Sequence, residues 1–186
     1  MELQTLLKDR RSVQLFEDRP ISLELIKEML DTAVWVPNHK MTEPWRFILA
    51  HGEGRRKIAE AAQGLAGGRE RDPVKREEMG KSTFAKMMSV PAFLAVVIKE
   101  NPNPAVWEED YAATSCVIHN FSLLAWERGI GLVWQTYGYI FQAEFREAFG
   151  IQPGEKLVGV LHFGYPAKVP TPRQRTPADQ LLTIID

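Results

Sequence analysis

Cysteine is almost missing from this chain of 186 residues, where Cys116 stands alone. One thiol excludes an intrachain disulfide framework and a cysteine-based zinc site. It also makes a reducing cytoplasm the expected compartment. Long apolar runs are missing too. The cleanest, Ala92–Ile98, is far shorter than the roughly 20 residues a bilayer demands, so no membrane association is expected. The opening Met1–Arg10 has no basic segment followed by a long apolar one, which argues against a secretory signal. Neither sign of charge dominates, with 23 Lys and Arg against 24 Asp and Glu. A molecule so balanced has no overall field with which to grip a polyanion, and nucleic acid is not an expected partner. The four histidines, His39, His51, His119 and His162, form no H-x-x-x-H pair, so no metal is expected. There is no G-x-S-x-G elbow, no Walker loop and no complete G-x-G-x-x-G, which disfavours the common hydrolase and nucleotide-fingerprint classes.

What is present reads as a globular unit. Hydrophobic residues make up 45% and charged ones 25%, and a mass of 21.2 kDa implies roughly 9,000 Å² of folded surface, enough for one core. We expect a single domain over residues 1–186. A short helix covers 2–9. Ser22 reads as an N-cap, with Ile21 and Ile26 spaced as a hydrophobic staple, before a helix whose apolar face is Ile26, Met29, Leu30, Ala33 and Val34. Pro37 limits it. Strands are expected over 45–50, 92–98, 132–135 and 157–163. Further helices carry Ile58–Leu65 and Phe141–Phe149, with Gly150 past the end of the second.

Residues 69–81 hold nine charges of mixed sign and read as a solvated, mobile stretch within a 65–90 excursion or lid. The longest helix, about 106–128, is apolar almost all round between Ala112 and Trp126, so it is either central or buried by a second subunit. Cys116, His119 and His162 read as packed core residues. After Gly164 come Pro166, Pro170, Pro172 and Pro177, then Leu181–Ile185: an extended arm over 166–186 ending in a strand-like run, suited to reaching a neighbour.

Three patches could carry chemistry. Arg10-Arg11-Ser12, at a helix end, suits a phosphate, because guanidinium groups bind it bidentately and the hydroxyl adds a short bond; a solvated basic corner is the alternative. Pro37-Asn38-His39-Lys40-Met41-Thr42-Glu43-Pro44-Trp45 is a polar loop between prolines that could present donors to a ring edge, or be an ordinary helix-to-strand turn. Arg173 and Arg175, two apart on extended backbone, fall on one face.

In order and spacing these motifs, with Gly52-Glu53-Gly54-Arg55, Gly129-Ile130-Gly131-Leu132-Val133-Trp134 and Phe163-Gly164, resemble the FMN-dependent nitroreductase family, in particular its short, single-domain YdjA-type subgroup. The resemblance implies an α+β, three-layer fold: a mixed, mainly antiparallel sheet wrapped by helices, in an intertwined homodimer with FMN at the interface. Carried over by position, Arg10, Arg11 and Ser12 would hold the FMN phosphate and ribityl chain, and Arg173 and Arg175 would neutralise the same phosphate. Trp35, Asn38 and His39 would approach the flavin from the other subunit. Trp134, Gln135 and Thr136 would line the isoalloxazine ring.

The activity implied is transfer of hydride from NAD(P)H to flavin N5 and then to a nitroaromatic, a quinone or a similar electrophile, with no catalytic side chain required. This chain departs from the pattern at three positions. Gln14 replaces the lysine that the wider family often places near N1 and O2 of the reduced flavin. Trp35 and Glu43 stand where the subgroup has arginine and glutamine. Gln14 and Trp35 keep open a flavin carrier or sensor without turnover, and an oxidase-type flavoenzyme of the same fold is a further alternative.

Overall fold

The Ser22 hydroxyl accepts the backbone N–H of Leu25 at 3.2 Å, and Ile21 and Ile26 pack into one apolar cluster, so the start of the second helix is fixed as its sequence predicts. In the computed structural model, which describes residues 2–136 and 138–185, the chain runs α1 (Leu3–Asp9), α2 (Leu23–Ala33), β1 (Trp45–His51), α3 (Gly54–Leu65), α4 (Pro73–Met88), β2 (Ala92–Lys99), α5 (Pro104–Glu127), β3 (Gly131–Gln135), α6 (Ala143–Ala148) and β4 (Glu155–Gly164).

The four strands form one sheet in the order β1-β2-β4-β3, and each neighbouring pair is antiparallel. Among the described residues, the parallel component is the isolated bridge between Ser12 and Leu132. β2 and β4 are central, and both are buried almost throughout, which is why they read as unbroken apolar runs. One face of the sheet packs on α2 and α5 through Ile26, Met29, Val117 and Phe121. The other packs on α3, α4 and α6 through Ile58, Ala62, Met87 and Phe145. The result is the expected α+β arrangement of three layers, with hydrophobic clusters on both sides of the sheet.

Three expectations need correction. Residues 73–88 are helical. Asp72 caps α4 by accepting the N–H groups of Val74 and Lys75, Pro73 occupies its first position, and Glu77 and Lys81 pair at 2.6 Å one turn apart. Mixed charges at that spacing support a helix rather than dissolve it. Second, Leu181–Ile185 forms no strand and is exposed, following a single 3-10 turn at Ala178–Gln180. A strand must pair its backbone groups with an edge, and these residues pair with neither edge of the sheet.

Third, the long helix α5 is not covered all round: Ala112, Cys116 and His119 are exposed along one stripe, so neither Cys116 nor His119 is a core residue of the single chain. His162 is buried as expected but is not satisfied, because its Nε2 has no hydrogen-bond partner among the described residues.

A bulge between β2 and β4 shapes the end of β3. Val158 has no partner on β2, and its carbonyl accepts the Trp134 indole N–H at 3.3 Å. The indole approaches Gly159 closely, and a Cβ there would stand 2.0 Å from Nε1 and 2.4 Å from Cδ1. Gly159→Ala must therefore expel the Trp134 ring. We expect a cost of about 1–2 kcal/mol, since the half-buried indole can swing aside, together with a red shift and increased quenching of tryptophan emission. Unchanged emission would show that the ring does not rest there.

Candidate functional site

Helix α1 ends at Asp9, and the chain turns so that Arg10, Arg11 and Ser12 follow directly. The short bridge from Ser12 to Leu132 and the Val13 N–H donating to the Leu132 carbonyl at 3.0 Å tie this segment to the edge strand β3. On the far side of the sheet end, the chain leaving β4 is held by Phe16–Pro166 pairing and by the Ala167 N–H donating to the Leu15 carbonyl at 3.0 Å. These contacts lay the proline-rich arm alongside the N-terminal segment. Between them lies a cleft of about 920 Å³ lined by Arg10, Arg11, Ser12, Gln14, Arg173 and Arg175, with Lys8 and Lys168 at its walls.

The two ends of the sequence thus bring their cations together. Partial burial pushes the Arg10 guanidinium below its usual range, and the neighbouring Arg11 and Arg175 charges add to this. The three do not play the same part. Arg11 donates to the carbonyls of Lys8 (2.6 Å) and Arg10 (2.8 Å), tying down the end of α1, and Arg175 donates to the Arg173 carbonyl at 3.1 Å. The Arg10 side chain makes no hydrogen bond or ion pair to any described residue, and is the cation best placed to take an external anion.

The 37–45 loop is a separate construction. Lys40, Met41 and Glu43 all adopt positive φ (57°, 51° and 41°), which L-residues rarely do. A polar network holds them there: the Thr42 hydroxyl donates to the buried Asp110 carboxylate at 2.6 Å, Asn38 Nδ2 donates to Thr42 at 2.9 Å, and the Glu43 N–H donates to Asn38 Oδ1 at 2.8 Å. His39 pairs with Glu109 at 3.5 Å. Asn38 is therefore structural within its own chain. Asp110, which belongs to no motif, is the anchor; it is the last of the three consecutive acids Glu108-Glu109-Asp110 near the start of α5, and its burial sets it apart from the other two. Trp35 projects from the end of α2 with 85% of its surface exposed, and Met41 is exposed beside it.

Of the residues predicted to form one site, Arg10, Arg11, Ser12, Arg173 and Arg175 converge within this chain. Trp134 and Gln135 lie at the end of β3, half-buried, and Thr136 is exposed just beyond. Gln135 lines a second, small cavity with His162 and Gln14. Trp35, Asn38 and His39 do not line the arginine cleft. Lys8 and Lys168 were missed, because isolated lysines in a helix and in an arm carry no motif.

The model of the Nitroreductase family matches residues 7–165, which takes in the arginine segment and all four strands. The chain belongs to the nitroreductase family. Among relatives of this family, "Putative NAD(P)H nitroreductase YfhC" of Bacillus subtilis (strain 168) is 36% identical over 176 residues, covering 94% of this chain and 90% of the relative. "Putative NAD(P)H nitroreductase YdjA" of Escherichia coli (strain K12) is 27% identical and covers 89% of each chain. A nitroreductase-like family protein from Bacillus cereus superposes with a TM-score of 0.90 at 38% identity, covering 100% of this chain and 97% of that one. The nitroreductase fold therefore extends beyond the matched segment to the arm that carries Arg173 and Arg175. No group of His, Cys, Asp and Glu among the described residues could hold a metal, and no described helix is long and apolar enough to cross a membrane.

Proposed function

We propose that this nitroreductase-family protein is an FMN-dependent oxidoreductase that takes hydride from NAD(P)H and delivers it to a nitroaromatic, a quinone or a similar electrophile. The observation that carries the reading is the meeting of Arg10, Arg11 and Arg175, from opposite ends of the sequence, around one cleft. Cations crowded around a partly buried Arg10 form a site that an anion would relax, and a terminal phosphate dianion meets that need. The cleft volume falls within the range of about 300–1,000 Å³ usual for ligand and cofactor sites. The residues therefore fit the group.

In this reading Arg10 and Arg175 take the phosphate, with Arg173 beside them. Arg11 holds the end of α1 in place, and the Ser12 hydroxyl supplies a hydrogen bond to the phosphate or its ribityl chain. Trp134, Gln135 and Thr136 line the ring, with Trp134 fixed by Val158 and Gly159. FMN, when bound, would supply the centre that accepts and donates hydride. The protein orients the ring and its partners and excludes water, which is why the sequence offers no acid–base pair.

The site is completed by a second copy of the chain. Folded monomers of this mass expose roughly 9,000 Å², whereas this chain exposes 11,833 Å². The excess, about 2,800 Å² per chain and so roughly 5,600 Å² for a pair, matches the most extensive obligate homodimer interfaces. Trp35, Met41, Leu181, Leu182, Ile184 and Ile185 are exposed apolar residues that such an interface would cover. Trp35, Asn38 and His39 would then reach the ring from the partner. The whole chain acts as one unit in this reading, and its exposed thiol is at home in a reducing cytoplasm.

Anaerobic titration of the purified protein with NADH and then NADPH tests this reading. We expect yellow protein whose flavin band bleaches within seconds and returns on adding a nitroaromatic. A colourless protein that takes up no FMN overturns the cofactor. Bound FMN that neither nucleotide bleaches leaves a carrier or sensor; bleaching by an organic substrate alone leaves an oxidase.

A further inference from the structure

Behind the cleft lies a cavity of about 30 Å³ that the proposed chemistry does not use. It sits on the α4 side of the sheet. His162, on β4, pairs in register with Phe93 on β2 and Val133 on β3, and its ring meets Phe93 edge-on at 4.8 Å. It is 95% buried and lines the cavity, and its Nε2 has no hydrogen-bond partner among the described residues. An orphaned nitrogen in so deep a position is costly unless something satisfies it. Gln14, Gln135 and Lys86 also line the cavity, while neither glutamine side chain hydrogen-bonds to a described residue. The volume is enough for one water, and the wall offers it up to four polar partners, which is what a buried water needs. Gln14 is also part of the wall of the arginine cleft.

We propose that His162 is a positioning residue: through one buried water held at its Nε2 it fixes the side chain of Gln14 at the wall of the cofactor cleft. The inference rests on the cofactor reading above. The water donates one hydrogen to Nε2 and the other to a glutamine carbonyl oxygen, and accepts from the Lys86 ammonium. Burial, with a smaller contribution from the Lys86 ammonium, keeps the imidazole neutral, and in the tautomer that carries its proton on Nδ1, Nε2 is the acceptor. The Gln14 amide is then held in one orientation toward the cleft, instead of rotating freely as an exposed glutamine does.

The test compares wild type, His162→Phe, His162→Gln, Gln14→Leu and the His162→Phe/Gln14→Leu double variant, as full chains. One readout is the FMN dissociation constant from flavin fluorescence. The other, without FMN, is magnetisation transfer from long-lived water to the His162 ring protons. We expect water transfer in wild type that falls in Gln14→Leu. We also expect about 3- to 10-fold weaker FMN binding in each of His162→Phe and Gln14→Leu, a double variant no worse than the weaker single one, and recovery in His162→Gln, whose amide can hold the water. Additive losses, or wild-type affinity in His162→Phe, would refute the positioning role while FMN binding itself stood. If wild type binds no FMN, the cofactor reading falls and this role with it. Should His162→Phe fail to fold, the water signal decides: unchanged transfer in Gln14→Leu overturns the proposal, and its loss supports it.

Discussion

Arg10→Ala is expected to weaken FMN binding by about 1.5–3 kcal/mol, roughly 10- to 150-fold in dissociation constant. Its guanidinium spends no hydrogen bond on a described residue, whereas Arg11 is engaged with the Lys8 and Arg10 carbonyls and Arg175 with that of Arg173. The substitution therefore removes a ligand contact without removing a structural one. It also removes a cation whose pKa is lowered by partial burial and by the neighbouring Arg11 and Arg175 charges, so the ligand-free melting temperature should hold or rise slightly. Arg11→Ala should behave differently, costing stability as well as affinity, because α1 loses its end contacts. Equilibrium dialysis with FMN, beside thermal melts of the apo chains, separates the two. Undiminished flavin retention in Arg10→Ala would remove that residue from the site. Weak dependence of affinity on ionic strength would count against an ionic grip of any kind, since charge contacts at a half-exposed site are screened by salt.

The second large effect is on stability at mildly acidic pH. Burial, with a smaller contribution from Lys86, lowers the His162 pKa from 6.5 to about 4. Between those values the unfolded chain binds the proton and the folded chain does not. Stability therefore rises with pH across this window. The contribution is fully present above pH 6.5 and is lost as pH falls toward 4. A shift of this size corresponds to about 3 kcal/mol in all, and to about 2 kcal/mol between pH 7 and pH 5. Urea unfolding of wild type and His162→Phe at both pH values isolates it, because carboxylate titrations common to the two chains cancel in the difference. We expect wild type to lose about 2 kcal/mol more than the variant on going from pH 7 to pH 5. Equal losses would mean that His162 takes up its proton without unfolding.

The secondary structure was largely legible because local rules govern it. Ser22 caps α2 whatever lies beyond, Pro91 opens a strand already apolar on both faces, and Gly150, with φ of +66°, ends α6 as a left-handed C-terminal residue should. Where local reading failed, the deciding partner was distant in sequence or absent from the chain. The charges over 69–81 read as a solvated, mobile excursion, whereas the Asp72 cap and the one-turn spacing of Glu77 and Lys81 make residues from Pro73 onward part of α4. Cys116 and His119 looked buried because their neighbours are apolar, yet they lie on the stripe of α5 that the rest of the chain leaves uncovered. No pattern in the sequence tells a helix face covered by its own sheet from one awaiting another subunit.

The sequence by itself determined the layers of this nitroreductase-family fold and the cations available for an anion, since each follows from residue type and short-range spacing. Only the tertiary structure decided that Arg10 and Arg175, separated by nearly the whole chain, share one cleft, that Arg11 is committed to α1, that Asp110 anchors the strained loop at Lys40–Glu43, and that His162 is left with an unpaired nitrogen beside Gln14. The reason is physical: charge convergence, burial and unsatisfied hydrogen bonds arise between segments that meet only when the sheet closes its order of strands.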